Sequence, residues 1–278
     1  MSIIIDGKKV AEKIKSKIKT EIAEKNIETC LAVILVGKDP ASEIYVNHKN
    51  KACLELGIES KSFKLTANTK ETELLKLINR LNKDSKINGI LVQLPLPDHI
   101  DKNKIIETIS PDKDVDGFHP VNVAKLYSGE NCFLPCTPAG IMELLKEYNI
   151  NPKNKNTVVI GDSAIVGKPI AELLRQAGAT VTVCNNQTKN LAQNTKQADI
   201  LVTATGVKNL ITKKMIKPEV VIVDVGIIHE GNKIFGDVDF QNTKEITSYI
   251  TPVPGGVGPM TIAMLMQNCL RAYKLQNK

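Results

Sequence analysis

Thr157-Val-Val-Ile-Gly161-Asp-Ser163-Ala-Ile-Val-Gly167-Lys-Pro169 is the stretch that decides the fold. A β-branched run stops at a glycine, and a helical pattern follows at once. Val166, Ile170, Leu173, Leu174 and Ala177 fall at i, i+4, i+7, i+8 and i+11, one face of a helix. A strand, a tight turn and a helix N-terminus form the first unit of a dinucleotide-binding fold. There the helix dipole and free backbone N–H groups receive a pyrophosphate. The unit begins near residue 157, so about half the chain precedes it and is expected to carry the substrate chemistry.

Working outward, a length of 278 residues suggests two domains. Val10, Ile14, Ile18 and Ile22 mark a first helix, and residues 31–37 read as a buried strand. Residues 41–56 read as a helix stopped by Gly57, residues 61–66 as a strand, and Leu74, Leu75, Ile78 and Leu81 as another helix. Residues 89–94 form a strand broken by Pro95 and Pro97. This alternation predicts a parallel sheet covered on both faces. A loop spans 111–120, and Thr137-Pro138 reads as an N-cap with proline at N1, opening a linking helix to about Asn149. Strands are expected at 179–184, 200–204 and 220–225, with a hairpin at 227–236 and a Gly/Pro loop from Pro252 to Pro259. A final helix, with Ile262, Leu265, Met266, Cys269 and Tyr273 on one face, is expected to pack back on the first domain. The fold class is α/β with two domains. An N-terminal α/β catalytic domain with a parallel sheet takes residues 1–136, completed by the C-terminal helix 259–278. A Rossmann-like NAD(P)-binding domain takes residues 137–258.

The net charge of +7 is spread along the chain, and the aromatic content is only 4%, which argues against a nucleic-acid stacking platform. No apolar run is long enough for a bilayer, and the first residues lack the order of a signal peptide, so a cytoplasmic protein is expected. The six cysteines form no C-x-x-C pair and are expected to be reduced and buried. His48, His99, His119 and His229 show no metal spacing, and no metal is expected. Asp112-Lys-Asp114-Val-Asp116-Gly117 opens like a calcium loop, but the required glutamate falls at Val123, which rejects calcium.

Several residues carry possible chemistry. Tyr45 and Lys49 lie four apart and share a helix face. From spacing alone they are a half-buried tyrosine beside a surface lysine. In a cleft, desolvation lowers a lysine pKa and makes it a base or proton shuttle, and a tyrosine stacks on a flat ring. Gln93 sits near the carboxyl end of a strand, where open α/β sheets bind ligands. The Asp/Gly-rich loop at 112–117 is a turn whose alternative use is a carboxylate for the amidine-like edge of a heterocycle. Pro252-Val-Pro254-Gly255-Gly256-Val-Gly258-Pro259-Met-Thr261 is stiff yet allows close backbone approach.

Taken in order, Ser42-x-x-Tyr45-x-x-x-Lys49, Val92-Gln-Leu-Pro-Leu-Pro97, Lys113-Asp-Val-Asp-Gly-Phe118, the turn at Gly161–Pro169 and Pro252–Thr261 cover nearly the whole chain. The chain resembles the bifunctional methylenetetrahydrofolate dehydrogenase/methenyltetrahydrofolate cyclohydrolase family. The resemblance implies that Lys49 is the catalytic lysine of the cyclohydrolase step, tuned by Gln93. It implies that Tyr45 stacks on the folate, Asp116 holds the pterin edge, and Pro252 and Gly256 border the folate. Gly161, Asp162, Ser163, Asn186 and Ile227 are implied to contact the dinucleotide. NADP is the implied cofactor, tetrahydrofolate derivatives, polyglutamylated forms included, are the implied ligands, and a homodimer in one-carbon metabolism is the implied context. Two features depart from the pattern. Ser163 stands where a G-x-G-x-x-G turn has glycine, and Gly167 comes one residue late. Asp162, facing an adenosine ribose, would favour a 2′-hydroxyl and hence NAD.

Other readings make different predictions. A two-domain dehydrogenase for another small acid would act without folate and without need of Lys49. A non-catalytic nucleotide-binding module would bind cofactor without turnover. A monofunctional member of the family would keep one of the two activities.

Overall fold

The computed structural model describes residues 2–231 and 233–277. The chain runs β1 (Ile3–Ile4), α1 (Gly7–Glu24), β2 (Cys30–Val36), α2 (Pro40–Leu56), β3 (Glu59–Leu65), α3 (Glu71–Lys83) and β4 (Gly89–Val92). Three helices follow: α4 (Lys102–Thr108), α5 (Pro120–Ser128) and α6 (Cys136–Glu147). Then come β5 (Asn156–Ile160), α7 (Gly167–Gln176), β6 (Thr180–Cys184), α8 (Leu191–Thr195), β7 (Ile200–Thr203) and β8 (Val221–Asp224). The chain ends with β9 (Ile228–Glu230), β10 (Lys233–Phe235), α9 (Phe240–Thr243), β11 (Tyr249–Ile250) and α10 (Val257–Gln276).

Two compact units result. One contains Lys13–Leu134 and the chain from Ile262 onward; the other contains the residues up to Glu12 and Pro135–Thr261. The expected boundary therefore moves at the N-terminus. β1 is a two-residue strand, too short to show a period, and it pairs in parallel with β11, Ile3 opposite Tyr249.

The first unit holds a three-stranded parallel sheet in the order β3-β2-β4. The central strand β2 is buried along its whole length, as a continuous apolar run requires. Helix α2 has both end signals. Asp39 accepts a hydrogen bond from the Ser42 N–H at 2.8 Å, Pro40 opens the first turn, and Gly57 closes the helix at φ 78°. Ile34, Leu74, Ile78, Ile90 and Ile105 lie in one buried cluster. The strand after Gly89 ends at Val92, two residues before its predicted end. Helices α4 and α5 occupy segments whose periodicity is too short to read, each held by a polar cap at Asp101 or His119. Helix α10 starts at Val257, inside the expected loop, and its buried surface is wider than the predicted stripe, since Ala263, Met264, Leu270 and Ala272 are buried as well. Asn268 Nδ2 donates to Val115 O at 2.8 Å and to Leu134 O at 3.1 Å, which fastens this helix to its unit.

The second unit holds a six-stranded parallel sheet in the order β1-β11-β8-β7-β5-β6. β6 lies on one side of β5 and β7 on the other, so the strand order reverses at β5. Such a switch point opens a crevice at the carboxyl ends of the strands. The predicted hairpin forms, with β9 and β10 antiparallel. Helix α6 begins earlier than predicted, with Pro135 at the cap position. Thr137 is not the cap; its hydroxyl hydrogen-bonds the Thr261 hydroxyl at 2.8 Å.

All six cysteines are free and buried. Burial pushes the Cys30 thiol up to about 11 and the Cys53 thiol up to about 12, so neither is a thiolate near neutral pH. Among the described residues no helix is long and apolar enough to cross a membrane.

Candidate active site

In the first unit, Lys49 projects from α2 on its buried face and is only 9% exposed. Its Nζ donates to Gln93 Oε1 at 3.0 Å. Gln93 Nε2 in turn donates to Leu94 O at 2.7 Å, and the Gln93 backbone N–H bonds Ile34 O at 2.9 Å. Gln93 is therefore held by backbone and side chain at the carboxyl end of β4, with its oxygen accepting from the lysine. These bonds satisfy both polar ends of the partly buried Gln93 amide. Tyr45 lies one turn before Lys49 and is half-buried, and burial pushes its hydroxyl up.

Asp116 reaches the same end of the sheet by a different route. Ile90 and Asp114 form a parallel bridge, so the chain through 113–116 runs alongside β4 in the same direction. The carboxylate that builds this loop is Asp114. It accepts from the Phe118 N–H (3.2 Å), the His119 N–H (2.8 Å) and Asn122 Nδ2 (2.8 Å). Burial raises its pKa, and these three bonds oppose the rise. Apart from the family resemblance, which points to Asp116, Asp114 and Asp116 read alike in the sequence, because both belong to one Asp/Gly-rich turn. Only their burial separates the structural acid, 2% exposed, from the partly exposed one.

In the second unit, the turn after β5 explains its departure from G-x-G-x-x-G. Gly161 has φ 103°, and a Cβ there would stand 2.4 Å from Ala204 O at the end of β7. At Gly167 a Cβ would stand 1.9 Å from Gly161 O. The late glycine thus serves close approach of the α7 N-terminus to the strand end. Ser163 takes up the intervening donors, its hydroxyl accepting from the Val166 and Gly167 N–H groups at 3.3 and 3.4 Å. Asp162 is exposed and its Oδ2 accepts from Asn185 Nδ2 at 3.0 Å, which ties it to the carboxyl end of β6. Asn186 and Ile227 are exposed at the carboxyl ends of β6 and β8.

Pro252 and Gly256 are bonded to each other, Gly256 N–H to Pro252 O at 2.9 Å. Gly256 is buried, and a Cβ on it would meet Pro252 O and Thr251 at 2.7 Å. Among the described residues no group of three His, Cys, Asp or Glu side chains is placed to share a metal ion. The structure thus brings Lys49 to Gln93, Gly161 and Ser163 to the α7 N-terminus, and Asp162 to β6.

A parallel sheet with a glycine turn at its switch point, in a chain that also carries a buried lysine bonded to a glutamine at a second parallel sheet, defines a two-unit α/β nucleotide-binding protein. Residues 5–116 match the family model for the tetrahydrofolate dehydrogenase/cyclohydrolase catalytic domain, and residues 135–277 match that for its NAD(P)-binding domain. The chain belongs to this family. It is 53% identical over 277 residues to the bifunctional protein FolD of Exiguobacterium sibiricum, covering 99% of this chain and 100% of that one. The crystal structure of the bifunctional enzyme FolD from Campylobacter jejuni has a TM-score of 0.97 at 53% identity, covering 99% of each chain. That of the Trypanosoma brucei enzyme, complexed with NADP cofactor and inhibitor, has a TM-score of 0.95 at 37% identity, covering 99% of this chain and 98% of that one.

Proposed function

We propose that the protein oxidises 5,10-methylenetetrahydrofolate to 5,10-methenyltetrahydrofolate with NADP and hydrolyses that product to 10-formyltetrahydrofolate, within one-carbon metabolism. The observation that carries this reading is the Lys49–Gln93 hydrogen bond at the carboxyl end of β4. It gives a member of this family a positioned lysine where a water-dependent step needs one.

The tight turn that Gly161 and Gly167 permit, set at the switch point of the sheet, fits a dinucleotide. Gly161, Asp162, Ser163, Asn186 and Ile227 would hold it, and when bound it supplies the hydride acceptor. The oxidation asks little acid–base work of the chain. Nitrogen lone pairs on either side of the methylene carbon help expel the hydride, so orientation dominates. Tyr45 stacks on the pterin, and Asp116 accepts from its amino edge.

Hydrolysis adds water to the methenyl carbon and then breaks one carbon–nitrogen bond. Lys49 Nζ takes the proton of the attacking water and returns a proton to the departing nitrogen, with one proton released overall. Gln93 keeps Nζ in place throughout.

The test follows methylenetetrahydrofolate with purified protein, with NADP and then NAD, monitoring reduced cofactor, methenyl and formyl products. Both activities are expected in the parent. Lys49→Met is expected to lose hydrolysis more completely than oxidation; equal retention of both would remove Lys49 from this role. Failure to reduce either dinucleotide would instead favour a folate protein without dehydrogenase activity.

NADP is the family expectation, supported by the Trypanosoma brucei relative, whose structure is complexed with that cofactor. Asp162 favours the second reading, NAD, through charge repulsion. Specificity constants for both cofactors in the parent and in Asp162→Arg separate the two: a parent that strongly prefers NADP rejects a ribose-facing carboxylate. The family reading also implies a homodimer, which sedimentation would detect. The net charge of +7 supports attraction of polyglutamylated folate, seen as a Michaelis constant that rises with salt.

A further inference from the structure

We propose that Asp224 and Asp237 are positioning residues for the dinucleotide, a buried carboxylate pair that sets the shape of the turns at the carboxyl ends of β7 and β8. The inference rests on the dinucleotide reading above and adds to it two acids that touch neither cofactor nor folate.

Both side chains are buried, at 3% and 0% exposure. Asp224 Oδ1 accepts from the Gly226 N–H at 2.9 Å and the Asp237 N–H at 3.0 Å, and its Oδ2 accepts from the Val238 N–H at 3.0 Å. Asp237 Oδ2 accepts from the Thr203 hydroxyl at 2.8 Å and the Thr205 N–H at 2.7 Å, and its Oδ1 accepts from the Val207 N–H at 3.0 Å. Every one of these donors is uncharged. The Asp224 N–H also bonds the Thr251 hydroxyl at 2.7 Å, which brings in the segment before Pro252.

The chain reserves two glycines for this arrangement. A Cβ on Gly226 would stand 2.2 Å from Asp237 Oδ1, and one on Gly236 would stand 2.0 Å from Asp224 Oδ2. Burying two carboxylates costs more than burying apolar side chains of similar size. Stability alone therefore does not account for the pair. What it delivers is geometry, since three directed bonds fix the chain at 203–207 and three more tie Gly226, Asp237 and Val238 to the end of β8.

Those segments lie at the switch point. Ala204 O is the atom that a side chain at Gly161 would strike. Ile227 follows Gly226 directly. The Thr203–Val207 turn thus faces the glycine turn across the β5/β7 boundary, and Asp237 holds it there.

Asp237→Asn is the direct test. Both oxygens face an N–H, so either orientation of the amide sets a donor against a donor. The dissociation constant for NADP is expected to rise about tenfold. Hydrolysis of methenyltetrahydrofolate, added directly, is expected to fall less than about twofold, because Lys49 and Gln93 belong to the other unit. A merely structural role would lower both together. Should Asp237→Asn fail to fold, Thr203→Val removes one donor only and is expected to raise the same constant about threefold, with Thr203→Ser restoring it. Unchanged NADP affinity in the folded variants, or parallel loss of both readouts, overturns the proposal. A parent that binds neither NADP nor NAD overturns the function reading, and this one with it.

Discussion

Gly167→Ala is the perturbation that probes the nucleotide turn most directly. An added Cβ would lie 1.9 Å from Gly161 O, 2.6 Å from Gly161 C and 3.0 Å from Asp162 Cα. All three are backbone atoms of the same turn, so no side chain can swing aside. The α7 N-terminus must retreat by about 1 Å before the shortest contact becomes tolerable. Overpacking of this kind typically costs about 1–3 kcal/mol. The better helix propensity of alanine, at most about 1 kcal/mol, offsets part of that. A net loss of about 2 kcal/mol corresponds to a fall in melting temperature of roughly 4–8 °C. The functional loss should be larger, because the displaced turn carries Gly161, Asp162 and Ser163, the residues proposed to hold the dinucleotide, and a 1 Å misplacement can cost about 100-fold. Thermal denaturation followed by circular dichroism, with Michaelis constants for NADP, measures both. Gly258→Ala in the first turn of α10 is the stability control: nothing lies within 4 Å of its Cβ, so it should melt with the parent or above it. A Gly167→Ala protein that melts with the parent and keeps its NADP constant would refute the close-approach argument.

Further outcomes follow from single bonds. Asp114→Asn should lower stability by about 1–3 kcal/mol, because its oxygens face the Phe118 and His119 N–H groups and Asn122 Nδ2; it should also raise the Michaelis constant for folate, and an unchanged urea midpoint would argue against it. Asp199 accepts from Lys217 Nζ at 2.6 Å and from the Asn156 N–H at 2.8 Å, and the lysine bond holds its carboxyl below the usual range. Its contribution is present above the ordinary carboxylate pKa and is lost as pH falls through the depressed value. Asp199→Asn should therefore cost up to about 1 kcal/mol near neutral pH, discounted for partial exposure, with the gap closing in acid; a gap that does not change with pH would contradict this.

Much of the architecture is legible from local pattern. The β5 run, its glycine stop and the apolar face of α7 are each contained within a few residues, so period and turn chemistry suffice to read them. The same holds for α2, whose Asp39-Pro40 start and Gly57 stop are chemical signals in the chain itself. Elements too short to show a period escape such reading: β1, β11, α8 and α9 span two to five residues each. Their existence depends on a neighbour that the sheet provides. The Thr137-Pro138 cap misleads because Ser, Thr and Asp carry the same local signal whether they cap a helix or bond elsewhere, and here Thr137 bonds Thr261.

The chain's own residues settle that a strand–turn–helix opens a nucleotide fold near residue 157, and five motifs in order carry the family resemblance that singles out Lys49, Gln93 and Asp116. Those properties are local, because a motif is read from residue type and spacing. Which acid is buried, and what it holds, is decided by tertiary structure alone. Lys49 and Gln93 meet across 44 positions, and Thr203 and Asp237 across 34. An aspartate looks the same in sequence whether water or six N–H and O–H donors surround the pair it belongs to. Only folding removes the water and supplies the partners, and a carboxylate without them could not remain buried.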